Sequence, residues 1–302
     1  MTPLTEPRKT IAAIGCSGQV AEIFVRGMLA EGVSVRLLAR DAETLARRYP
    51  AATVISGSMM NTDDVARAVE GADAAFFLTP IARQNDPSTE FEAANAVIAG
   101  ARAGQLKHLI YTSALGAGRN TGVGVLDAKY EVERLLEAGG TPYSVLRCGS
   151  YMEDVFDVRL NLLEKGRFLF PINKSRRISY VSQKDVAPFI VQELVDKDRV
   201  VNGAIDFVEP RSYAVSEVEQ LLTTAAGRTV TASPRFPTYY LSLAALPYFR
   251  WRRHRLSSII PLVRYWDSHG SVASENTVGA YAPSFRMTTL EEHLTKLFQQ
   301  RQ

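Results

Sequence analysis

Six short β-branched or apolar runs, at residues 10–14, 33–38, 52–55, 73–78, 108–111 and 143–147, alternate with amphipathic stretches near 18–31, 42–48, 62–70, 88–103 and 127–138. Strand, helix and strand recurring every ~20–35 residues is the mark of βαβ units. Because such crossovers are right-handed, successive strands lie parallel and helices cover both faces of one sheet. Local punctuation supports the same parse. Asn61 and Thr62, followed by Asp63 and Asp64, put side-chain oxygens and negative charge where the free amides of a helix start need them. Gly71, Gly104 and Gly139 each follow the last apolar-periodic residue of a helix, as a left-handed cap requires. Within 127–138, Val132, Leu135 and Leu136 form an apolar stripe beside Lys129, Glu131 and Glu133.

Beyond residue 150 the alternation fades. The pattern predicts a helix near 153–164, a strand at 178–181, a helix near 185–195 and a strand at 204–208. Helices follow near 215–226, 238–249, 255–268 and 288–298, in a segment broken by Pro171, Pro210, Pro234 and Pro237. The chain thus divides into a sheet-bearing domain, 1–150, and a smaller lobe, 151–302. Part of that lobe is expected to return to the sheet and to cover the carboxyl ends of its strands, where open α/β sheets bind ligands.

The first apolar run, 11–14, is too short for a secretory signal, which needs ~7–15 apolar residues. No segment reaches the ~18–20 apolar residues of a membrane span. With only Cys16 and Cys148, the chain suits a reducing compartment, and a cytoplasmic protein is expected. A net charge of +3 gives no argument for nucleic acid. The basic run RWRRHR, 250–255, reads as a solvated turn between amphipathic helices of the smaller lobe; an anionic surface, an acidic substrate tail or a partner is the alternative. The aromatic helices around it are candidates for a homodimer face. No His, Cys, Asp or Glu cluster has ligand spacing, so no metal is expected.

Chemistry enters at IAAIGCSGQVAEIFVRGMLAEG. Gly15 and Gly18 sit in the turn between the first strand and the first helix, where a missing Cβ lets backbone approach a pyrophosphate at the helix N-terminus. Ala21 holds the third small position, which packs helix on sheet. This context makes the fold a Rossmann-type dinucleotide-binding one. The second strand then ends in Leu37-Leu38-Ala39-Arg40-Asp41. A site for NAD needs a carboxylate there to hold the ribose 2′-hydroxyl. Ala39 stands at that place with Arg40 next, and an arginine pairs a 2′-phosphate, so NADP(H) is the expected cofactor. Otherwise Arg40 is an exposed residue ahead of a helix capped by Asp41.

These residues, with SGS (56–58), EGADAAFFLTP (70–80), HLIYTSALGA (108–117) and KYEVERLLEAGGTPYSVLRCGSYMED (129–154), resemble the NmrA-like family of atypical short-chain dehydrogenase/reductases. A weaker likeness extends to RYWDSHG and FRMTTLEEHL. The resemblance implies that Gly15, Cys16, Ser17, Gly18, Gln19 and Val20 line the diphosphate and that Arg40 meets the 2′-phosphate. It implies that Ser58 and Met59 flank the adenine and that Leu78, Thr79 and Pro80 border the nicotinamide-side ribose. Two positions depart from the family pattern. Ser58 stands where the family usually carries Asp, and Cys148 replaces the usual proline after Leu-Arg.

Most short-chain reductases protonate a carbonyl with the tyrosine of Tyr-x-x-x-Lys. Here Lys129 is present, but Val125 stands four residues before it. Relatives resembling isoflavone and phenylcoumaran reductases work with the lysine alone, so Lys129 is the candidate catalytic acid/base or a holder of the ribose hydroxyls. The plain alternative is a solvated lysine paired with Glu133 at i+4. Ser113, closing the fifth strand, is a cofactor or substrate contact or a turn cap. Tyr151 and Met152 occupy the family's substrate-pocket position, and either could instead be core. Cys16 is a thiol activated at a helix start or a space-filling residue, and His108 reads as structural. The resemblance implies an NADPH-dependent reductase of a small aromatic, quinone-like or enone substrate. It also leaves open a cofactor-sensing regulator and a non-redox isomerase or cyclase.

Overall fold

The computed structural model describes residues 9–16, 18–79, 88–157, 160–170, 172–232, 253–275 and 277–299. Ser17, Pro80, the helix expected at 238–249 and residues 250–252 of the basic run lie outside the described residues, as do the side chains of Gln19 and of 253–255.

Seven parallel strands make the central sheet. In chain order its elements are β1 (Thr10–Ile14), α1 (Gln19–Ala30), β2 (Ser34–Ala39), α2 (Ala42–Arg48), β3 (Thr53–Ser56), α3 (Thr62–Val69) and β4 (Ala74–Phe77). There follow α4 (Ser88–Ala103), β5 (Leu109–Ala114), α5 (Gly124–Ala138) and β6 (Tyr143–Cys148). The spatial order β3-β2-β1-β4-β5-β6 is completed by the strand Gly203–Phe207, which pairs parallel to β6. This is the doubly wound Rossmann arrangement. Its order reverses between β1 and β4, and the cleft at such a switch point is where these sheets take ligands.

Strands buried on both faces read as unbroken apolar runs, and β1 shows why. Ile11 and Ala13 face one core, with Phe24, Val25 and Met28 of α1. Ala12 and Ile14 face the other, with Val65, Val97 and Val132 from α3, α4 and α5. A third core fills the smaller lobe, where Phe156 stacks on Phe168 and Phe168 on Phe170.

Local chemistry explains the helix ends, with one correction. Asn61 caps α3 by accepting from the Asp63 and Asp64 N–H groups, and Gly71 is left-handed with φ +66°. Gly104 and Gly139 are not left-handed; the positive φ falls one residue later, at Gln105 and Gly140. The two glycines serve close packing instead. A Cβ on Gly104 would lie 2.5 Å from Val69 Cγ2, and one on Gly139 2.5 Å from Ile98 Cγ2.

In the smaller lobe the helix expected at 153–164 is two short pieces, Met152–Val155 and Leu160–Leu163. The one expected at 185–195 is a 3-10 turn, Gln183–Asp185, then Val186–Phe189, then a π-helical stretch, Ile190–Val195. Its wider turn is carried by Asp196 N–H donating to Val191 O, five residues back. The strand Arg177–Val181 and the helices Val215–Ala226, Arg253–His269 and Leu290–Gln299 follow the expected positions within a few residues. Among the described residues no helix is long and apolar enough to cross a membrane.

Candidate active site

The β1–α1 turn is built against the end of β4. Gly15 has φ +76°, and a Cβ there would stand 2.2 Å from the carbonyl oxygen of Leu78. Only glycine satisfies both conditions. Leu78 N–H donates to Ile14 O at 3.1 Å, fixing the two strand ends to each other. Gly18 is the N-cap of α1, with no side chain capping the helix and nothing within 4 Å of where a Cβ would stand. Free helix-start N–H groups facing open space are what a pyrophosphate needs. Val20 and Ala21 pack α1 on the sheet core. Cys16 is buried with its Sγ 3.6 Å from Ile14 O, and burial pushes its thiol up to about 12. It fills space in the turn and is not an activated thiol.

Around the adenine end, Arg40 follows β2 directly, exposed, with no hydrogen bond or ion pair to any described residue. Its neighbour Asp41 is committed elsewhere, accepting from Thr44 N–H as the cap of α2. A cation held at a strand tip without a partner suits an incoming phosphate. Ser58 N–H donates to Asp64 Oδ2 at 2.8 Å, so α3 supplies a carboxylate beside the position where the family's Asp is missing. Met59 lies over the glycine turn, its Cε 3.5 Å from where a Gly15 Cβ would be.

At the other end of the cleft, four side chains from four elements meet in a buried cluster. Thr79 just follows β4, Glu90 is in the first turn of α4, Tyr111 is on β5 and Lys129 is on α5. Glu90 is 1% exposed and Lys129 6%. Thr79 Oγ1 donates to Glu90 Oε1 in a short hydrogen bond. Lys129 Nζ donates to Thr79 Oγ1 at 2.9 Å and to Thr112 O at 3.4 Å, and lies 3.1 Å from Glu90 Oε1. The Tyr111 hydroxyl is 3.1 Å from Thr79 Oγ1 and 3.3 Å from Glu90 Oε1. Burial works against the Lys129 ammonium, but Tyr111 and the Glu90 carboxylate outweigh it and hold its pKa above the ordinary lysine value. Burial also pushes the Tyr111 hydroxyl up to about 12.

Lys129 is therefore not the solvated partner of Glu133. That carboxylate takes Ser113 Oγ at 2.5 Å and a bidentate Arg147, with Nη2 to Oε2 at 2.6 Å. Ser113 is buried where β5 ends, its hydroxyl hydrogen given to Glu133 and its oxygen still able to accept.

Tyr151 is partly buried, 6.4 Å from Phe24 between ring centroids, and its hydroxyl meets the Cys148 thiol. Met152 has no exposed surface and belongs to the core of the smaller lobe. His108 is structural: its Nε2 is 2.8 Å from Ser144 Oγ, and burial lowers its pKa to about 4. Two members of the cluster, Glu90 and Tyr111, are not singled out by the sequence. An acid in a first helical turn reads as an ordinary dipole partner, and a tyrosine inside HLIY reads as core.

Residues 7–293 match the sequence pattern of the NmrA-like family. The chain is 25% identical over 222 residues to an NAD(P)H azoreductase of Xenophilus azovorans, covering 73% of this chain and 75% of that protein. It is 25% identical over 250 residues to the photosystem II assembly factor Ycf39 of Cyanophora paradoxa, covering 80% of this chain and 77% of that one. The NADPH-dependent quinone oxidoreductase QOR2 of Escherichia coli, solved with NADPH, shares the fold with a TM-score of 0.78 at 19% identity, over 95% of this chain and 99% of that one.

Proposed function

The chain belongs to the NmrA-like family, and we propose that it is an NADPH-dependent reductase of a small aromatic, quinone-like or enone substrate. The observation that carries the cofactor assignment is the pairing of a glycine turn open at Gly18 with an exposed Arg40 at the tip of β2 that has no partner among the described residues. The turn and the α1 N-terminus would hold the diphosphate, Arg40 the 2′-phosphate, and Thr79 the ribose beside the nicotinamide. Bound there, the cofactor supplies hydride. The azoreductase and quinone oxidoreductase relatives support a reductase with an electron-poor, conjugated substrate.

The protein's own side chains bear on which substrate. Lys129 donates to Thr79 and Thr112 O and is ion-paired with Glu90 at 3.1 Å, and Tyr111 has no exposed surface. Neither offers a ready proton. That favours acceptors whose reduced form takes its proton from water, such as quinones, over simple ketones that need an acid in the transition state. Cys16 and Cys148, buried and unpaired, suit work in the cytosol. The test is steady-state oxidation of NADPH with quinone, azo and enone acceptors. Protein that binds NADPH but oxidises it with none of them overturns the reductase reading.

A cofactor-sensing role without turnover is the second reading, favoured by the same saturated Lys129 and by the assembly-factor name of one relative. Capture of a partner that depends on NADP(H) would support it, and capture insensitive to the nucleotide would sink it.

A further inference from the structure

Glu90 enters the site from α4, next to a stretch with no motif, yet the hydrogen atoms around it can be counted one by one. Lys129 has three; its Nζ donates to Thr79 Oγ1 and Thr112 O and is ion-paired with Glu90 Oε1 at 3.1 Å. Thr79 has one, given to Glu90, and its lone pairs face Lys129 and the Tyr111 hydroxyl. Tyr111 has one, which goes to Thr79 or to Glu90 Oε1. With Glu90 a carboxylate and Lys129 an ammonium, each of these donors has an acceptor within reach. A proton on Oε1 would displace the hydrogen bond that Thr79 donates there. A proton on Oε2 would have no acceptor among the described residues, because that buried oxygen has no hydrogen-bond partner there.

We propose that Glu90 is the positioning residue of the nicotinamide-side pocket: it keeps Lys129 charged and clamped under Thr79, so that Lys129 presents a fixed positive charge to the ribose and not a transferable proton. Where the charge acts rests on the reductase reading; the clamp itself does not. The titratable groups that face Lys129 are Glu90 from α4, Tyr111 from β5 and Cys148 from β6. On its own helix Glu133 is occupied by Arg147 and Ser113. With Glu90 neutralised no other carboxylate faces Lys129 among the described residues, and a buried, unpaired lysine gives up its proton several pH units early.

The experiment is a carbon-13 NMR titration of the lysine side chains in the full chain, with the Lys129 signal assigned by its loss in Lys129→Met. In the wild type that signal should not titrate below about pH 10, whereas in Glu90→Gln it should titrate between about pH 6 and 9. Glu90→Asp, which keeps the charge, should restore wild-type behaviour. NADPH affinity should be flat across that window in the wild type and fall ten-fold or more in Glu90→Gln. A Lys129 that stays charged to pH 10 in Glu90→Gln overturns the proposal, since Thr79 and Thr112 would then suffice. Should Glu90→Gln not fold, Glu90→Gln with Lys129→Met removes both charges and should fold; a double variant as unstable as the single one also overturns it. If no variant and no wild type binds NADPH, the reductase reading falls while the lysine titration still decides the clamp.

Discussion

Gly15 and Arg40 carry the cofactor assignment, and each can be tested by one substitution. Alanine at Gly15 would have to adopt φ +76° and push its Cβ against Leu78 O. The left-handed backbone alone costs about 1–2 kcal/mol, and the clash must move the end of β4. Gly15→Ala should therefore lower the melting temperature and abolish NADPH binding; an alanine variant with unchanged affinity would remove the turn from the site. Arg40→Ala removes charge-assisted bonds worth roughly 1.5–3 kcal/mol each. NADPH affinity should fall ten-fold or more in a fluorescence titration while NADH affinity hardly changes. Equal losses for both nucleotides would place the 2′-phosphate elsewhere. These two residues are legible in the sequence because their roles are local: a turn, and the residue after a strand. Glu90 and Tyr111 are not, because their role arises only when α4 and β5 bring them to Lys129, 39 and 18 residues further along the chain.

Among elements, the helix Leu290–Gln299 packs Leu290, Leu294 and Phe298 into the core of the smaller lobe and meets it also through the Tyr213 hydroxyl. Tyr213 OH lies 3.1 Å from Glu209 Oε2 and 2.7 Å from Glu291 Oε2, and it has one hydrogen for two carboxyl groups. Burial pushes Glu209 up to about 8, against the pull of Tyr213 and of Leu290 N–H. A carboxyl that titrates higher folded than unfolded favours the fold while protonated. Its contribution is full below the ordinary value of 4.5 and is lost as pH rises through about 8. Glu209→Gln keeps a donor and an acceptor without titrating. Its melting temperature should gain on the wild type steadily from about pH 5 to about pH 8; parallel curves would show that Glu209 is ionised throughout. The sequence announces none of this, since Glu209 and Glu291 look like surface acids. The same limit explains the divided helix at 153–164 and the π-helical stretch at 190–195. Periodicity marks such segments as apolar and helical, but their breaks and widened turns depend on packing against α1 and the sheet.

At the scale of the molecule, the first 150 residues are read well from sequence because parallel βαβ units repeat one physical pattern. The smaller lobe is read less well because its strands are short and paired across long separations, as Ser212–Ala214 is with Arg177–Val181. One of its strands closes the sheet beside β6, and the lobe is joined to the domain by contacts such as Gln192 Nε2 donating to Glu31 Oε2 at 2.7 Å. In the proposed reading, the glycine turn, Arg40 and the clamped Lys129 would line the cleft at the β1–β4 switch point. A cleft that binds cofactor but withholds protein protons has a kinetic signature. NADPH-loaded protein mixed with a quinone in a single turnover should lose its reduced-nicotinamide absorbance at a rate independent of pH between about 6 and 9, with no protein acid titrating in that range. A rate that follows one ionisation across that range would contradict the account by revealing a protein acid at work, and NADPH that stays bound and unreacted would leave the cleft to sensing.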